Sequence, residues 1–449
     1  MDQIRELAMD ILVDIDKKKG LSHLVLSDTL KNYQYLDKKD RAFLTRLCQG
    51  TIEYQIQLDY IIDQFSRTKA KKCKPVIRAI LRMGVYQLKY MDHVPDSAVC
   101  NEAVKLAKKR GFRNLTGFVN GVLRTIARNM DQIVYPDMQK EPVKALSIRY
   151  SMPEWIIRYW LNDYDMQTVQ TMLESFLTIS PLTIRVQFTN GSKEELLQRF
   201  AEDQITAEDG SFMSEALKIS KFDHLEDVKA FEEGRFQVQD ESSMLVGRLA
   251  DPKEGMFVID VCSAPGGKSL HIADLMHGTG KVIARDLTEY KTDLIEENRE
   301  RLSCSNVEVQ VADALETDES MIGKADIVIA DLPCSGLGII GKKHDIKYNM
   351  TAEQMKELSK LQRRILEVVV NYLKDDGILM YSTCTISREE NIGNVQWMQE
   401  HLQLEPIAFD SLMPEKLSVE TAKDGYIQLL PGIHPCDGFF IAKMRKKRS

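Results

Sequence analysis

Two cysteines in the C-terminal half of the chain stand where they could act as nucleophiles. Cys334 lies in the run Asp-Leu-Pro-Cys-Ser-Gly over 331–336, and Cys384 lies in the run Ser-Thr-Cys-Thr over 382–385. Each run follows a predicted strand, so we expect both thiols at one edge of a sheet, facing a crevice where a thiolate can be stabilised. The alternative is a buried packing cysteine, which is the commoner role for an isolated cysteine.

A second stretch that could bind a ligand runs from Met256 to Ser269. Its apolar residues over 256–261 predict a buried strand, and Pro265-Gly266-Gly267 predicts a turn into a helix. Glycines let a ligand approach the backbone, and the amide groups that begin a helix suit a carboxylate or a phosphate. A plain strand-to-helix turn is the alternative reading of the glycine pair alone.

Aspartates follow three of the predicted strands. Asp286 comes nineteen residues after Gly267, close to the spacing of about 20 that is typical of the acid that holds ribose hydroxyls in a nucleotide-like cofactor. Asp313 could accept a hydrogen bond from an adenine amino group, and Asp331 ends the next strand. Each could instead be a helix cap or a turn residue. Together they favour a cofactor with an adenosyl group, although spacing alone does not separate a sulfonium cofactor from a dinucleotide.

The elements that must position these residues alternate between strand and helix from Gln239 onward, as in a doubly wound parallel sheet. Thr351 and Gln354 have the spacing of a capping box at the start of a helix between the last two strands. The predicted strands are Met256 to Val261, Lys281 to Arg285, Val307 to Val311, Ala325 to Ala330 and Ile378 to Tyr381.

The first 130 residues show helical periodicity and no strand pattern, as at Phe43, Leu44, Leu47 and Cys48. Prolines over 134–153 predict a linker, and Ser151 with Glu154 predicts a capping box. Alternation over 182–188 predicts a strand, and Ser192 with Glu195 caps a following helix. We therefore predict three domains: an all-α domain over 1–135, a small α+β, RRM-like module over 140–235, and an α/β domain over 236–449.

Charge is distributed unevenly along a chain whose formal net charge is −7. Between Arg67 and Arg128 fifteen basic residues face three acids, a local balance of +12, which is the electrostatic footprint of a polyanion-binding surface. A solvated helical face is the alternative. Basic residues over 443–448 are weaker evidence and favour a solubilising end. The residues that we expect to contact RNA are Lys71, Lys72, Lys74, Lys108, Lys109 and Arg110.

The eight cysteines include no Cys-x-x-Cys pair, and the histidines form no cluster with metal-ligand spacing. We therefore expect no disulfide scaffold and no metal. No run approaches the ~18 apolar residues of a membrane span, so we expect a cytoplasmic protein without a membrane partner, and a monomer.

The helical part resembles a known family of RNA-binding domains. The stretches Leu-Arg-Met-Gly-Val-Tyr-Gln-Leu over 81–88, Asn-Glu-Ala-Val over 101–104 and Phe-Val-Asn-Gly-Val-Leu-Arg over 118–124 are similar to the NusB antitermination-factor family. The resemblance covers about the first quarter of the chain and implies an all-α RNA-binding domain.

The remainder resembles the RNA (cytosine-5) methyltransferase family. The similarity rests on residues 260–268, the two cysteine motifs, Asp345-Ile-Lys347, Glu390-Asn391 and the run Asp-Gly-Phe-Phe over 437–440. It implies a Rossmann-like class I methyltransferase domain that uses S-adenosyl-L-methionine, and the NusB-like part ahead of it points to a member that acts on 16S ribosomal RNA. Lys291, Gly341 and Gln187 depart from the common pattern of the family, outside the presumed chemistry.

The resemblance also implies roles for individual residues. Cys384 would be the nucleophile that adds to C6 of cytosine, and Cys334 would help to resolve the adduct and release product. Asp331 would contact the N3/N4 edge of the base, and we place Lys268 with these catalytic residues. The cofactor-binding residues would be Cys262, Ser263, Ala264, Pro265, Gly266, Gly267, Lys268, Asp286, Asp313 and Asp331. The alternatives are the same chemistry on another ribosomal or transfer RNA cytosine, and a non-catalytic RNA-binding factor.

Overall fold

A computed structural model describes residues 2–18 and 36–448 of the chain. Two compact units are present. The first comprises Met1–Thr178 with Ile340–Asn349, and the second comprises Ile179–Ile339 with Met350–Ser449. Each unit is described by itself.

Helices joined by loops make up the described part of the first unit, and the helical periodicity predicted over the first 130 residues is confirmed. Proline stands at the start of two of its helices, where its missing N–H group costs nothing. The helices are α1 Asp2–Lys18, α2 Lys38–Glu53, α3 Gln55–Phe65, α4 Pro75–Tyr90, α5 Asp96–Lys109, α6 Thr116–Arg128, α7 Pro142–Tyr150, α8 Glu154–Trp160 and α9 Met166–Phe176.

The core of the first unit is built from the apolar stripes of these helices. Leu44 and Leu47 of α2 and Leu81 of α4 are fully buried, as are Leu123 and Ile126 of α6. Burying one such side chain contributes roughly 1.5–3 kcal/mol, so the shared stripe supplies most of what holds the helices together.

The segment Ile340–Asn349 lies between strands of the methyltransferase-like sequence and yet packs in the first unit. It contains the short helix α15 Ile346–Asn349. Lys347, which is 2% exposed, donates to the backbone carbonyl of Glu53 over 2.8 Å, and the Tyr348 hydroxyl donates to the same carbonyl over 2.9 Å. Burial lowers the pKa of Lys347 to about 7 and raises that of Glu53 to about 7.

The second unit begins with a four-stranded antiparallel sheet in the order β2-β3-β1-β4. The predicted strand at 182–188 is confirmed as β1, and the capping box of Ser192 and Glu195 is present at the next helix. The elements are β1 Leu182–Val186, α10 Lys193–Glu202, β2 Thr206–Asp209, β3 Ala216–Ser220, α11 Lys229–Glu232 and β4 Phe236–Val238.

A larger mixed sheet completes the unit, with strands in the order β10-β12-β9-β8-β5-β6-β7 and β11 paired to β12. The neighbours β7-β6-β5-β8-β9 are parallel, and β12 runs antiparallel to β9. Its strands are β5 Phe257–Asp260, β6 Lys281–Asp286, β7 Val307–Val311, β8 Ala325–Asp331, β9 Leu373–Thr383, β10 Leu404–Pro406, β11 Tyr426–Leu429 and β12 Phe439–Lys446. Its helices are α12 Glu241–Ala250, α13 Gly267–Leu275, α14 Glu289–Arg301, α16 Ala352–Val369 and α17 Ile392–His401.

The five predicted parallel strands are confirmed. Four are largely buried apolar runs, whereas β7 lies at the edge of the sheet and alternates valine with Glu308 and Gln310. The capping box of Thr351 and Gln354 is also present, at the start of α16. Three details are wrong. The stretch over 134–153, predicted as a linker, contains helix α7, because Pro142 stands at the first position of that helix, where proline is tolerated. Ser151 does not cap α8; it ends α7 with a left-handed φ of 51°, and its hydroxyl accepts from the N–H of Ile56 over 2.9 Å. The basic residues over 443–446 belong to β12, where Lys443 is only 8% exposed.

Within residues 2–18 and 36–448, no helix is long and apolar enough to cross a membrane. The same residues contain no cluster of histidine, cysteine and acidic side chains that could hold a metal ion.

Candidate active site

The loop after β5 is held to the neighbouring strand by backbone hydrogen bonds. The Ser263 N–H donates to the Arg285 carbonyl over 2.8 Å, and the Gly266 N–H donates to the Ser263 carbonyl over 2.7 Å. Gly266 has a φ of 97°, a conformation that other residues rarely adopt, and it caps α13. The turn therefore needs glycine, and the N-terminus of α13 begins at the edge where the parallel strands end.

Asp260 lies at the end of β5 and is 1% exposed. Its Oδ2 accepts from the Ser269 hydroxyl over 2.6 Å, while its Oδ1 has no hydrogen-bond partner among the described residues. Burial raises the pKa of this carboxyl to about 6. One buried acceptor therefore remains beneath the loop.

Asp286 ends β6 and points into the loop that follows β5. Its carboxylate accepts from the N–H groups of Ala264, over 3.0 Å, and Leu287, over 2.8 Å, and from Lys291 Nζ over 2.9 Å. The side chain of Asp286 is 4% exposed, whereas that of Lys291 is 47% exposed. Asp313 follows β7, and its carboxylate accepts from the Leu315 N–H over 2.9 Å.

Asp331 and Lys268 form an ion pair at the end of β8. Lys268 Nζ lies 2.6 Å from Asp331 Oδ2 and 5.3 Å from the centroid of the Phe439 ring. The Ser382 hydroxyl donates to the other carboxylate oxygen of Asp331 over 2.7 Å. Burial alone would lower the pKa of Lys268, but the Asp331 carboxylate outweighs it and holds that pKa above its ordinary value. Lys268 is thus a cation at neutral pH.

The two thiols named from the sequence lie together, with Cys334 Sγ 3.4 Å from Cys384 Sγ. Both residues are partly buried. The adjacent Cys384 thiol and burial together raise the pKa of Cys334 well above its usual range, and the Glu390 and Asp331 carboxylates act in the same direction. Cys334 is therefore a protonated thiol at neutral pH. Burial likewise raises the pKa of Cys262.

Sequence reasoning missed contacts that support these residues. Three of the supporting residues lie within the cysteine motifs of the sequence, and this proximity was the only indication of their role: Ser382, Ser335 and Thr385. Glu390 belongs to a motif used for the family resemblance, but the sequence offers no indication that its side chain lies against the cysteine loops. Gln362 lies on α16, and nothing in its spacing points to the site.

The basic residues expected to contact RNA lie in the first unit, and they differ in the contacts that their side chains make. Lys71 and Lys72 are exposed, and so is Lys108. Lys74 lies over the Phe112 ring, 5.5 Å from its centroid.

Two further members of that set pair with acids of α1. Lys109 Nζ lies 2.6 Å from Glu6, and Arg110 lies 2.5 Å from Asp10. These pairs lower the positive charge available on that part of the helical surface.

The residues at the strand ends fit an adenosyl cofactor. A carboxylate offers about four acceptor positions, and Asp286 uses three of them. Because Lys291 is half-exposed, its ammonium group can give way to ribose hydroxyls. The ion pair of Lys268 with Asp331 lies at a neighbouring strand end, and the unpaired Oδ1 of Asp260 adds an acceptor beneath the loop.

The chain is similar to known proteins along most of its length. Family models match residues 248–445 (16S rRNA methyltransferase RsmB/F), 2–128 (NusB family) and 152–225 (the ferredoxin-like domain of RsmF/B-like methyltransferases). A probable ribosomal RNA small subunit methyltransferase B of Bacillus subtilis is 36% identical over 447 residues, covering 99% of each chain.

Two further comparisons cover almost the whole chain. A ribosomal RNA small subunit methyltransferase B of Yersinia pseudotuberculosis is 31% identical over 438 residues and 96% of each chain. The crystal structure of PH0851 matches with a TM-score of 0.82, at 25% identity and 99% coverage of each chain.

Proposed function

Because this chain belongs to the ribosomal RNA small subunit methyltransferase B family, we propose that it methylates C5 of one cytosine in 16S ribosomal RNA through a covalent adduct. Membership makes it a methyltransferase dependent on S-adenosyl-L-methionine. The single observation that carries the finer proposal is the pair of thiols 3.4 Å apart beside the Lys268–Asp331 ion pair.

The cofactor would be held by the loop over 262–268 and by the strand-end acids. Asp286 would accept from the ribose hydroxyls, and Asp313 from the adenine amino group. The loop over 262–268 would surround the methionine end, with Asp331 toward the transferred group. When bound there, S-adenosyl-L-methionine supplies an electrophilic methyl group.

Cytosine C5 is a poor nucleophile, so the protein must activate it. Addition of the Cys384 thiolate to C6 gives C5 the enamine character that methylation requires. After methylation, C5 loses its proton to water, and the Cys384–C6 bond breaks with its electron pair returning to sulfur. This cycle restores both the aromatic ring and the thiolate.

Asp331 and Lys268 support this addition electrostatically. The Asp331 carboxylate faces the position of the N3/N4 edge of the base, where it can accept a hydrogen bond from the amino group. Lys268, kept cationic by Asp331, stabilises the negative charge that passes into the ring as the thiolate adds.

Cys334 contributes as a thiol rather than a thiolate. Its raised pKa keeps its proton in place, so it can donate a hydrogen bond to the Cys384 sulfur as the C6–sulfur bond breaks. Removing this thiol would slow release and leave the adduct in place.

The target base must leave its stack to meet both the thiol and the methyl group, and RNA loops make that step inexpensive. Exposed lysines of the helical unit, among them Lys71, Lys72 and Lys108, would hold the RNA through its phosphates and carry little base information.

The experiment is bisulfite sequencing of 16S ribosomal RNA after incubation with the protein and S-adenosyl-L-methionine. We expect one protected cytosine with the wild-type protein and with Cys436→Ser, a control that removes another partly buried thiol. We expect no protected cytosine with Cys384→Ala. Absence of protection with wild type, when cofactor binding is demonstrated, would refute the proposed substrate.

A further inference from the structure

Glu390 is a fully buried acid between β9 and α17, and it makes an unusual set of contacts with the loop that carries Cys334. Its Oε2 accepts from the N–H of Ser335 over 2.9 Å and from Gln362 Nε2 over 3.0 Å. Its Oε1 accepts from the Ser335 hydroxyl over 2.5 Å. Three donors therefore converge on one carboxylate.

The backbone is held on both sides of Cys334. Gln362 Nε2 donates to the carbonyl of Pro333 over 2.8 Å, on the N-terminal side of the cysteine. Glu390 holds Ser335, on the C-terminal side. Because Gln362 also donates to Glu390, the hydrogen bonds on the two sides of Cys334 belong to one connected framework.

The same framework reaches the loop that carries Cys384. The hydroxyls of Ser335 and Thr385 are 2.7 Å apart, and Thr385 Oγ1 accepts from the Leu337 N–H over 3.2 Å. The Gly338 N–H donates to the Cys384 carbonyl over 3.1 Å. The two cysteine loops are thus joined through the residues that immediately follow each thiol.

Glu390 is itself fixed from the opposite side. Its backbone carbonyl accepts from the Tyr381 hydroxyl and from Asn394 Nδ2, the latter over 3.2 Å. Both donors are fully buried. The Glu390 carboxylate is consequently held rigidly against the core of the sheet. This suits a residue that fixes the distance between the Cys334 and Cys384 thiols.

We propose that Glu390 is a positioning residue that holds the Cys334 thiol against Cys384 through Ser335 and Thr385, and so controls release of the methylated RNA. The part of this inference that concerns release rests on the proposed function; the part that concerns the separation of the thiols does not. Glu390 touches neither thiol, and it acts through the backbone and hydroxyls of its neighbours.

The decisive variant is Glu390→Gln, which keeps the shape of the side chain but replaces one acceptor oxygen with a donor amide. The charged acceptor shared by the three donors is then lost, and the Ser335 hydroxyl must turn to accept from the new amide, so its hydrogen bond with Thr385 is rearranged and the framework is weakened. Glu400→Gln is the matched control, because Glu400 is exposed on α17 in the same unit.

The first readout is the rate at which the free protein forms a Cys334–Cys384 disulfide with diamide, which oxidises the two thiols and is itself reduced to the hydrazine. Peptide mapping quantifies the disulfide without RNA or cofactor. Loss of the preorganised pair should slow its formation by at least about tenfold in Glu390→Gln, with the wild-type rate in Glu400→Gln.

The second readout is the fraction of protein held as a covalent RNA adduct during turnover with S-adenosyl-L-methionine. A displaced Cys334 should raise that fraction and lower kcat while kcat/KM for RNA stays within about twofold, since only a step after methyl transfer changes. Thr385→Val removes one hydroxyl at nearly constant volume and should also slow disulfide formation and raise the adduct fraction. If Glu390→Gln does not fold, this variant tests whether the framework positions the thiols.

Two results would overturn the inference. One is that Glu390→Gln and Thr385→Val both match Glu400→Gln in disulfide rate. The other is that disulfide formation slows but the adduct fraction stays at the control level. If wild type forms no adduct with any RNA, the proposed function fails, and the disulfide rates still decide whether Glu390 positions the thiols.

Discussion

Asp260→Asn tests how strongly the end of β5 is shielded from water. The folded protein holds the pKa of Asp260 at about 6, against an ordinary value of 3.8, and burial is the first cause. The folded carboxyl thus binds a proton as pH falls through 6, whereas the unfolded one does so only near 3.8. Its stabilising contribution is complete below 3.8 and is lost as pH rises through 6.

The magnitude follows from the two pKa values. A difference of about two pKa units corresponds to about 3 kcal/mol, and roughly half of it, about 1–2 kcal/mol, is lost between pH 5 and pH 8. Asparagine cannot ionise, and its oxygen can still accept from the Ser269 hydroxyl. Relative to wild type, the free energy of unfolding of Asp260→Asn should therefore rise by about 1–2 kcal/mol from pH 5 to pH 8.

Two assays check this result. The carbonyl stretch of a protonated carboxyl, taken as the infrared difference between wild type and Asp260→Asn, should titrate near pH 6. Chemical unfolding can be followed by Trp397 fluorescence in a Trp155→Phe/Trp160→Phe background, with the exposed Asp375→Asn as control. A titration midpoint near 3.8, or an unfolding difference that does not change with pH, would refute the reasoning.

Three further predictions concern the turn at Gly338, the start of α16 and the lysines expected to bind RNA. In Gly338→Ala the new Cβ would lie 2.0 Å from the Gly438 carbonyl oxygen, so we expect about 1–3 kcal/mol of destabilisation by chemical unfolding; an unchanged midpoint would show that the backbone relaxes freely. Thr351→Ala removes the capping hydroxyl of α16 and should cost about 1 kcal/mol, measured as a lower unfolding midpoint, whereas Thr351→Ser should retain most of it. Lys71→Ala/Lys72→Ala should reduce the slope of log K for RNA against log salt by about 1.4 if both contact single-stranded phosphates, and an unchanged slope would place the RNA elsewhere.

The parallel sheet could be predicted because its central strands are buried on both faces and have the sequence of apolar runs between turns. The same logic placed Asp286 and Asp331 at strand ends, since carboxyl ends of parallel strands share an edge. The antiparallel strand β12 was missed because Lys443 and Arg445 look like part of a basic tail. In the structure Lys443 is buried in the strand, a position that depends on pairing with β9.

Other features depend on tertiary contacts that sequence spacing does not encode. Ser151 and Glu154 have the spacing of a capping box, but the Ser151 hydroxyl accepts from the backbone of α3 instead. Similarly, Glu390 and Gln362 are separated along the chain and meet only when α16 packs on the sheet. Motifs therefore predicted the candidate reacting groups, and motif spacing could not predict the framework that holds them.

The most direct test of the account is to identify which sulfur bonds to the RNA. Cys334→Ala protein is incubated with 16S ribosomal RNA and S-adenosyl-L-methionine, digested, and examined by mass spectrometry for peptides that carry a methylated cytidine. We predict that the adduct lies on Cys384, and that Cys384→Ala forms none. An adduct on Cys334 in the Cys384→Ala protein would contradict the assignment of the nucleophile and reverse the roles of the two thiols.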